Sequence, residues 1–254
     1  MLKGKSQQIR GGPLSYIALG FLVATALATP AKDNQVSDVY LFNLNPYHPL
    51  IDRLDMFGNM GCYQNSDYAR YRFGWPGVIC HVDSWLQLWG GLDAYYTDNI
   101  HSADQLELRP FAGVKFFVPN RAKILLYNFT RYEYRAFEDE ATQTWSNYSR
   151  IRSRFGAEIP LTTRTNAWTE KTFYALADVE PFYRFDKNEW DPVQVRAGLG
   201  YIVNKRVRLE LIYTGQFARP ASDRSVQHSE NLIELNLKLA LHEGILARVF
   251  NPGD

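Results

Sequence analysis

From His81 to Leu241 hydrophobic and polar side chains alternate with a period of two, the pattern of strands whose two faces meet different surroundings. In residues 206–217, Val207, Leu209, Leu211, Tyr213, Gly215 and Phe217 share one face, and Arg206, Arg208, Glu210, Ile212, Thr214 and Gln216 share the other. The same rule predicts eight strands, over residues 82–96, 106–118, 123–137, 146–159, 173–185, 193–203, 206–217 and 233–241. Segment 123–137 is the least regular, because Asn128 and Thr130 fall on the face of Ile124 and Leu126.

Several of these segments run to 11–15 residues. Strands of globular proteins usually have about five or six residues, whereas a tilted strand crossing a bilayer needs about 9–11. Length therefore favours an all-β fold, an antiparallel transmembrane β-barrel of about 8–10 strands, with 12 as the upper reading. Residues 29–80 are less periodic. Val39–Leu44 and Tyr68–Phe73 read as two further strands or as part of a lead-in or plug, and the barrel proper as residues 81–250. An even strand number is expected. If the last strand ends in the periplasm, the links at 219–229, 187–192, 136–145 and 98–104 lie outside, and those at 204–205 and 119–122 inside. Longer links outside match the outer-membrane pattern, but the link 160–171 is long where a short one is expected.

The N-terminus reads as an address. Lys3, Lys5 and Arg10 precede an apolar run from Leu14 to Leu27, and Ala26-Leu27-Ala28 offers a small-x-small cleavage site, so residues 1–28 are expected to be a signal peptide. Its removal leaves 25 basic against 27 acidic side chains, a balance that excludes a nucleic-acid partner held by charge. A mean hydropathy of −0.33 excludes a bundle of membrane-spanning helices. Cys62 and Cys80, the only cysteines, are a candidate disulfide in an exported chain.

Periodicity alone does not say which face meets what. In a soluble exported ligand-binding barrel the apolar face turns inward; in a membrane barrel the ionic face does. The second reading places Glu107, Arg109, Arg131, Glu133, Arg135, Arg150, Arg152, Arg154, Glu158, Asp178, Glu180, Arg184, Arg196, Arg208 and Glu210 in the lumen. In so narrow a barrel they are expected to interlock as ion pairs, Arg150, Arg152 and Arg154 finding Glu107, Glu133, Asp178 or Glu180. Tyr96, Phe117, Tyr132, Tyr134, Trp145, Tyr148, Tyr174, Tyr183 and Tyr213 are candidates for interfacial girdles.

The stretches Asp83–Asn99, Leu106–Lys115, Asn128–Arg135 and Val195–Tyr201, with Arg-Tyr-Glu-x-Arg and Arg-Ala-Gly-Leu-Gly-Tyr as their clearest pieces, resemble an uncharacterised family of Gram-negative outer-membrane β-barrels, a domain of unknown function. The resemblance covers about residues 82–241 and implies location in the bacterial outer membrane. Outer-membrane lipid, lipopolysaccharide and the barrel-assembly machinery follow as expected partners, and no catalytic residue carries over. Such barrels commonly end on an aromatic residue, whereas here Asn251-Pro252-Gly253-Asp254 follows Phe250.

Two weak constellations suggest a barrel-embedded lipid hydrolase as an alternative: His228-Ser229-Glu230, expected in an outer loop, and His81 with Asp83 and Ser84. Adjacent strand residues point to opposite faces, which argues against the first. His48, His81, His101, His228 and His242 are scattered without metal-ligand spacing, and no cofactor is expected. The reading is a barrel of structural or narrow small-solute role with a salt-bridged lumen.

Overall fold

The computed structural model describes residues 36–119, 124–162, 169–219 and 226–250. The expected signal peptide, most of the 119–122 link and the middle of the 160–171 link lie outside them. Among the described residues eleven strands close into one barrel: β1 (Ser37–Ile51), β2 (Leu54–Gln64), β3 (Tyr68–Asp83), β4 (Leu86–Asn99), β5 (Gln105–Val118), β6 (Leu125–Asp139), β7 (Thr144–Pro160), β8 (Thr172–Arg184), β9 (Glu189–Asn204), β10 (Val207–Ala218) and β11 (Gln227–Ala240). A short helix, α1 (Ile245–Phe250), follows.

The all-β barrel is as expected, but its closure is not purely antiparallel and its strand number is odd. Every neighbour in sequence pairs antiparallel, so the first and eleventh strands run the same way and the seam between β1 and β11 is parallel, Ser37 opposite Glu230 through Tyr47 opposite Ala240. Residues 37–83 supply three strands rather than two. The expected strand at 82–96 is divided by a turn at Ser84 and Trp85, leaving Val82 and Asp83 on β3, and β11 begins at Gln227. His228-Ser229-Glu230 is thus strand, not loop.

Cys62 and Cys80 are free. The β2–β3 register sets Cys80 opposite Leu54, eight residues along β2 from Cys62, a separation of roughly 25 Å, whereas a disulfide needs Cα atoms within about 7 Å.

The two faces divide by charge. On β10, Arg208, Glu210, Ile212 and Thr214 are buried while Leu209, Leu211 and Tyr213 are exposed. On β5, Glu107, Arg109 and Lys115 are buried while Phe116 and Val118 are exposed. Leu88, Leu92, Phe155, Leu199, Ile233 and Leu235 continue the bare apolar exterior. Soluble monomers rarely expose apolar surface this continuously, and a soluble ligand-binding barrel needs the opposite arrangement. Asn128 and Thr130 lie on this outer face, closed into a small polar cluster with Ser153 by bonds of 2.7–3.0 Å. Of the expected girdle residues, Tyr96, Tyr132, Tyr134, Trp145 and Tyr213 are exposed, but Phe117 and Tyr174 are buried in the lumen and Tyr148 lines it. Tyr174 fits inside because it lies over Gly200 on the adjacent strand, where a Cβ would stand 2.0 Å from its Cζ.

At the end of the barrel where β11 stops, the chain turns at Gly244 (φ 85°) and α1 enters the lumen. Ile245, Leu246, Val249 and Phe250 join Tyr47, Phe57, Ile79 and Phe111 in the largest apolar cluster. This is where Phe250 lies: on a helix inside the barrel, not on its last strand.

Candidate functional site

The lumen is organised around buried carboxylates, each shared by several guanidiniums. Glu107 accepts from Arg109 Nε at 2.8 Å, from Arg135 at 2.5 and 2.8 Å, and from Arg70. Glu133 is shared by Arg131 (2.9 Å), Arg150 (2.6 Å) and Arg152 (3.3 Å). Glu180 accepts both ends of the Arg152 fork, at 3.1 and 2.6 Å, and Arg154 at 2.8 Å. Asp178 takes Arg196 bidentately at 2.8 Å, with Arg154 Nε at 3.8 Å. The register makes these contacts: Glu133 stands opposite Arg150 across β6–β7, and Asp178 opposite Arg196 across β8–β9.

Fourteen of the fifteen expected lumen residues lie within the barrel. Arg184 borders the cavity only at its rim, bonded to Asp186 at 2.7 Å with its guanidinium 4.1 Å from the Tyr148 ring centre. That hydrogen bond holds the Asp186 carboxyl below its ordinary range, as the Tyr96 hydroxyl does for Asp104 in the connection between β4 and β5.

Toward the closed end Glu210 accepts from Lys238 at 2.5 Å and from the Tyr174 hydroxyl at 2.6 Å. The Phe250 ring of α1 is surrounded by cations: Lys238 Nζ at 4.3 Å, Arg208 Cζ at 5.1 Å and Lys115 Nζ at 5.2 Å from its centre. Arg248 pairs with Asp55, whose other partner is His81 Nε2 at 2.7 Å, and Gln87 donates to the Val249 carbonyl at 3.1 Å. These contacts hold the helix in place. Between it and the opposite mouth lies a cavity of about 580 Å³.

Asparagines make up part of the wall built by β1, β2 and β11, with Asn43 donating to Asn236 and the Asn45 and Asn59 amides in contact, each at 2.8 Å. Arg70, Arg72, Asp93 and Tyr95 complete the arginine side, with Arg72 on Asp93 at 2.5 Å and the Tyr95 ring between Arg70 and Arg109. Arg70 and Arg72 alternate with Tyr71 and Phe73, a signal present in sequence but short. Arg248 and Asp55 show no pattern along the chain, because their pairing depends on the helix folding back.

The hydrolase candidates are not assembled. Ser229 Oγ donates to the Gln216 carbonyl at 3.1 Å, while His228 stacks on Phe217 with ring centres 5.1 Å apart. His81 faces Asp55, and Asp83 instead accepts from the Ser84 amide and Trp85 indole. No group of His, Cys, Asp and Glu able to hold a metal occurs among the described residues.

A family model described as a protein of unknown function, DUF2490, matches residues 58–227. The chain belongs to this family. The DUF2490 span begins within β2 and ends at the first residue of β11, so it includes the Glu107, Glu133 and Glu180 clusters while β1 and α1 lie outside it. No curated protein matches the chain.

Proposed function

We propose that this DUF2490 protein is a non-enzymatic outer-membrane β-barrel whose lumen is too densely paired, and too fully occupied by α1 at one end, to act as an open pore. The observation that carries this reading is the division of the faces: guanidiniums and carboxylates buried inside, bare leucines and aromatics outside. A lipid exterior satisfies those apolar positions, whereas water does not. Lipid and lipopolysaccharide are then its immediate surroundings, and the assembly machinery of that membrane its route to them. Ion pairs inside are shielded from bulk solvent and tie strands to near neighbours around the barrel.

Planar-bilayer recording of the refolded full chain tests the sealed-lumen reading, with heat-modifiable gel mobility reporting closure of the barrel. Brief, small openings or none are expected. A wide, steady open level from closed barrels contradicts the reading and points to a porin.

A further inference from the structure

The arginine wall is not neutralised. Ten arginines and two lysines line the cavity, against five carboxylates. Adding the buried Arg208, Asp93, Glu107, Glu133 and Glu180, and the Asp186 that pairs with Arg184 at the rim, gives thirteen cations for ten carboxylates among the described residues. The surplus concentrates on β5, β6 and β7. Arg131 stands directly opposite Arg152, a like-charge pair, and three arginines draw on Glu133 alone or in part. One inward position along, Lys115 lies opposite Phe129, next to the Arg131 row.

Lys115 is the sharper sign. It is only 6% exposed, it lines the cavity, and among the described residues no carboxylate lies within ion-pair distance of it, Glu158 acting on it from farther off. Its Nζ instead lies 4.7–5.7 Å from the ring centres of Phe117, Tyr127, Phe250 and Trp89. A buried ammonium with no anion in contact is costly, and cation–π contacts offset only part of that cost. Arginine forks match carboxylate and phosphate oxygens bidentately, and a lysine adds a point charge that any oxyanion accepts. The asparagines, glutamines and tyrosines on the remaining wall suit hydroxyl groups.

We propose that the cavity is a binding site for a compact, multiply charged oxyanion, a phosphate ester or a polycarboxylate, seated between Lys115 and Arg131 and entering from the mouth opposite α1. The inference goes beyond the outer-membrane reading and needs only the inward placement of these side chains, so it is tested in detergent without reference to location.

Isothermal titration of the refolded full chain uses inorganic pyrophosphate, citrate and, as a neutral hydroxylated control, trehalose. One anion should bind saturably per chain, with trehalose silent. Tighter pyrophosphate binding indicates a phosphate ligand, and tighter citrate binding a carboxylate one. Lys115→Gln and Arg131→Gln should each weaken binding at least tenfold while keeping heat-modifiable mobility. Neither substitution strips a carboxylate of its last partner, since Glu133 retains Arg150 and Arg152. No saturable binding of either anion overturns the proposal, as does binding that both substitutions leave unchanged.

Discussion

Glu133 is 1% exposed and ion-pairs with three guanidiniums, which makes it the residue whose charge the interior can least spare. Glu133→Gln keeps the shape and removes the charge, leaving Arg131 and Arg150 without any carboxylate within ion-pair distance. The expected loss is about 3–5 kcal/mol, the cost typical of breaking a buried pair from one side, read as a lower urea midpoint for the refolded barrel. Asp186→Asn at the rim breaks only the exposed contact to Arg184 and should cost less than about 1 kcal/mol. Equal losses from the two substitutions would mean that the lumen is as well solvated as the rim.

At the scale of elements, α1 is the part that a strand pattern along the chain does not announce. The eight strands from Leu86 onward were legible because alternation persists for about nine residues or more in most of them. The first three were harder to read: β1 carries prolines at 46 and 49, and the register slips between Phe57 and Asn59 and between Gly74 and Val78, so parity breaks within a strand. The parallel seam is a consequence of strand number and has no local signature. Lumen charges were readable wherever alternation was, whereas the Asp55–Arg248 pair joins residues 193 apart. Because α1 fills one end, removing residues 244–254 should convert a silent barrel into one with resolved conductance steps favouring anions, given the surplus of positive charge on the wall. Bilayer currents identical to those of the full chain would show that the arginine network, not the helix, closes the lumen. Phe250→Ala should loosen the same end by about 3–5 kcal/mol through lost burial alone, measured by denaturant titration.

The molecule as a whole is an inside-out object by the standards of water: its ion pairs are its core and its leucines its surface. This predicts a dependence on depth that a soluble fold does not show. Leu211→Lys, near the middle of β10, should destabilise the barrel in lipid vesicles by about 2–4 kcal/mol, while Val207→Lys at the strand end should cost about 0–1 kcal/mol. Two equally small effects would indicate an exterior that meets solvent. The most direct test of where that exterior belongs is fractionation of bacterial cells producing the full chain, with unboiled and boiled samples compared on gels. A heat-modifiable band in the outer-membrane fraction, released only by detergent, is expected if lipid covers the apolar face; recovery of the folded barrel from the periplasmic supernatant without detergent would rule that out.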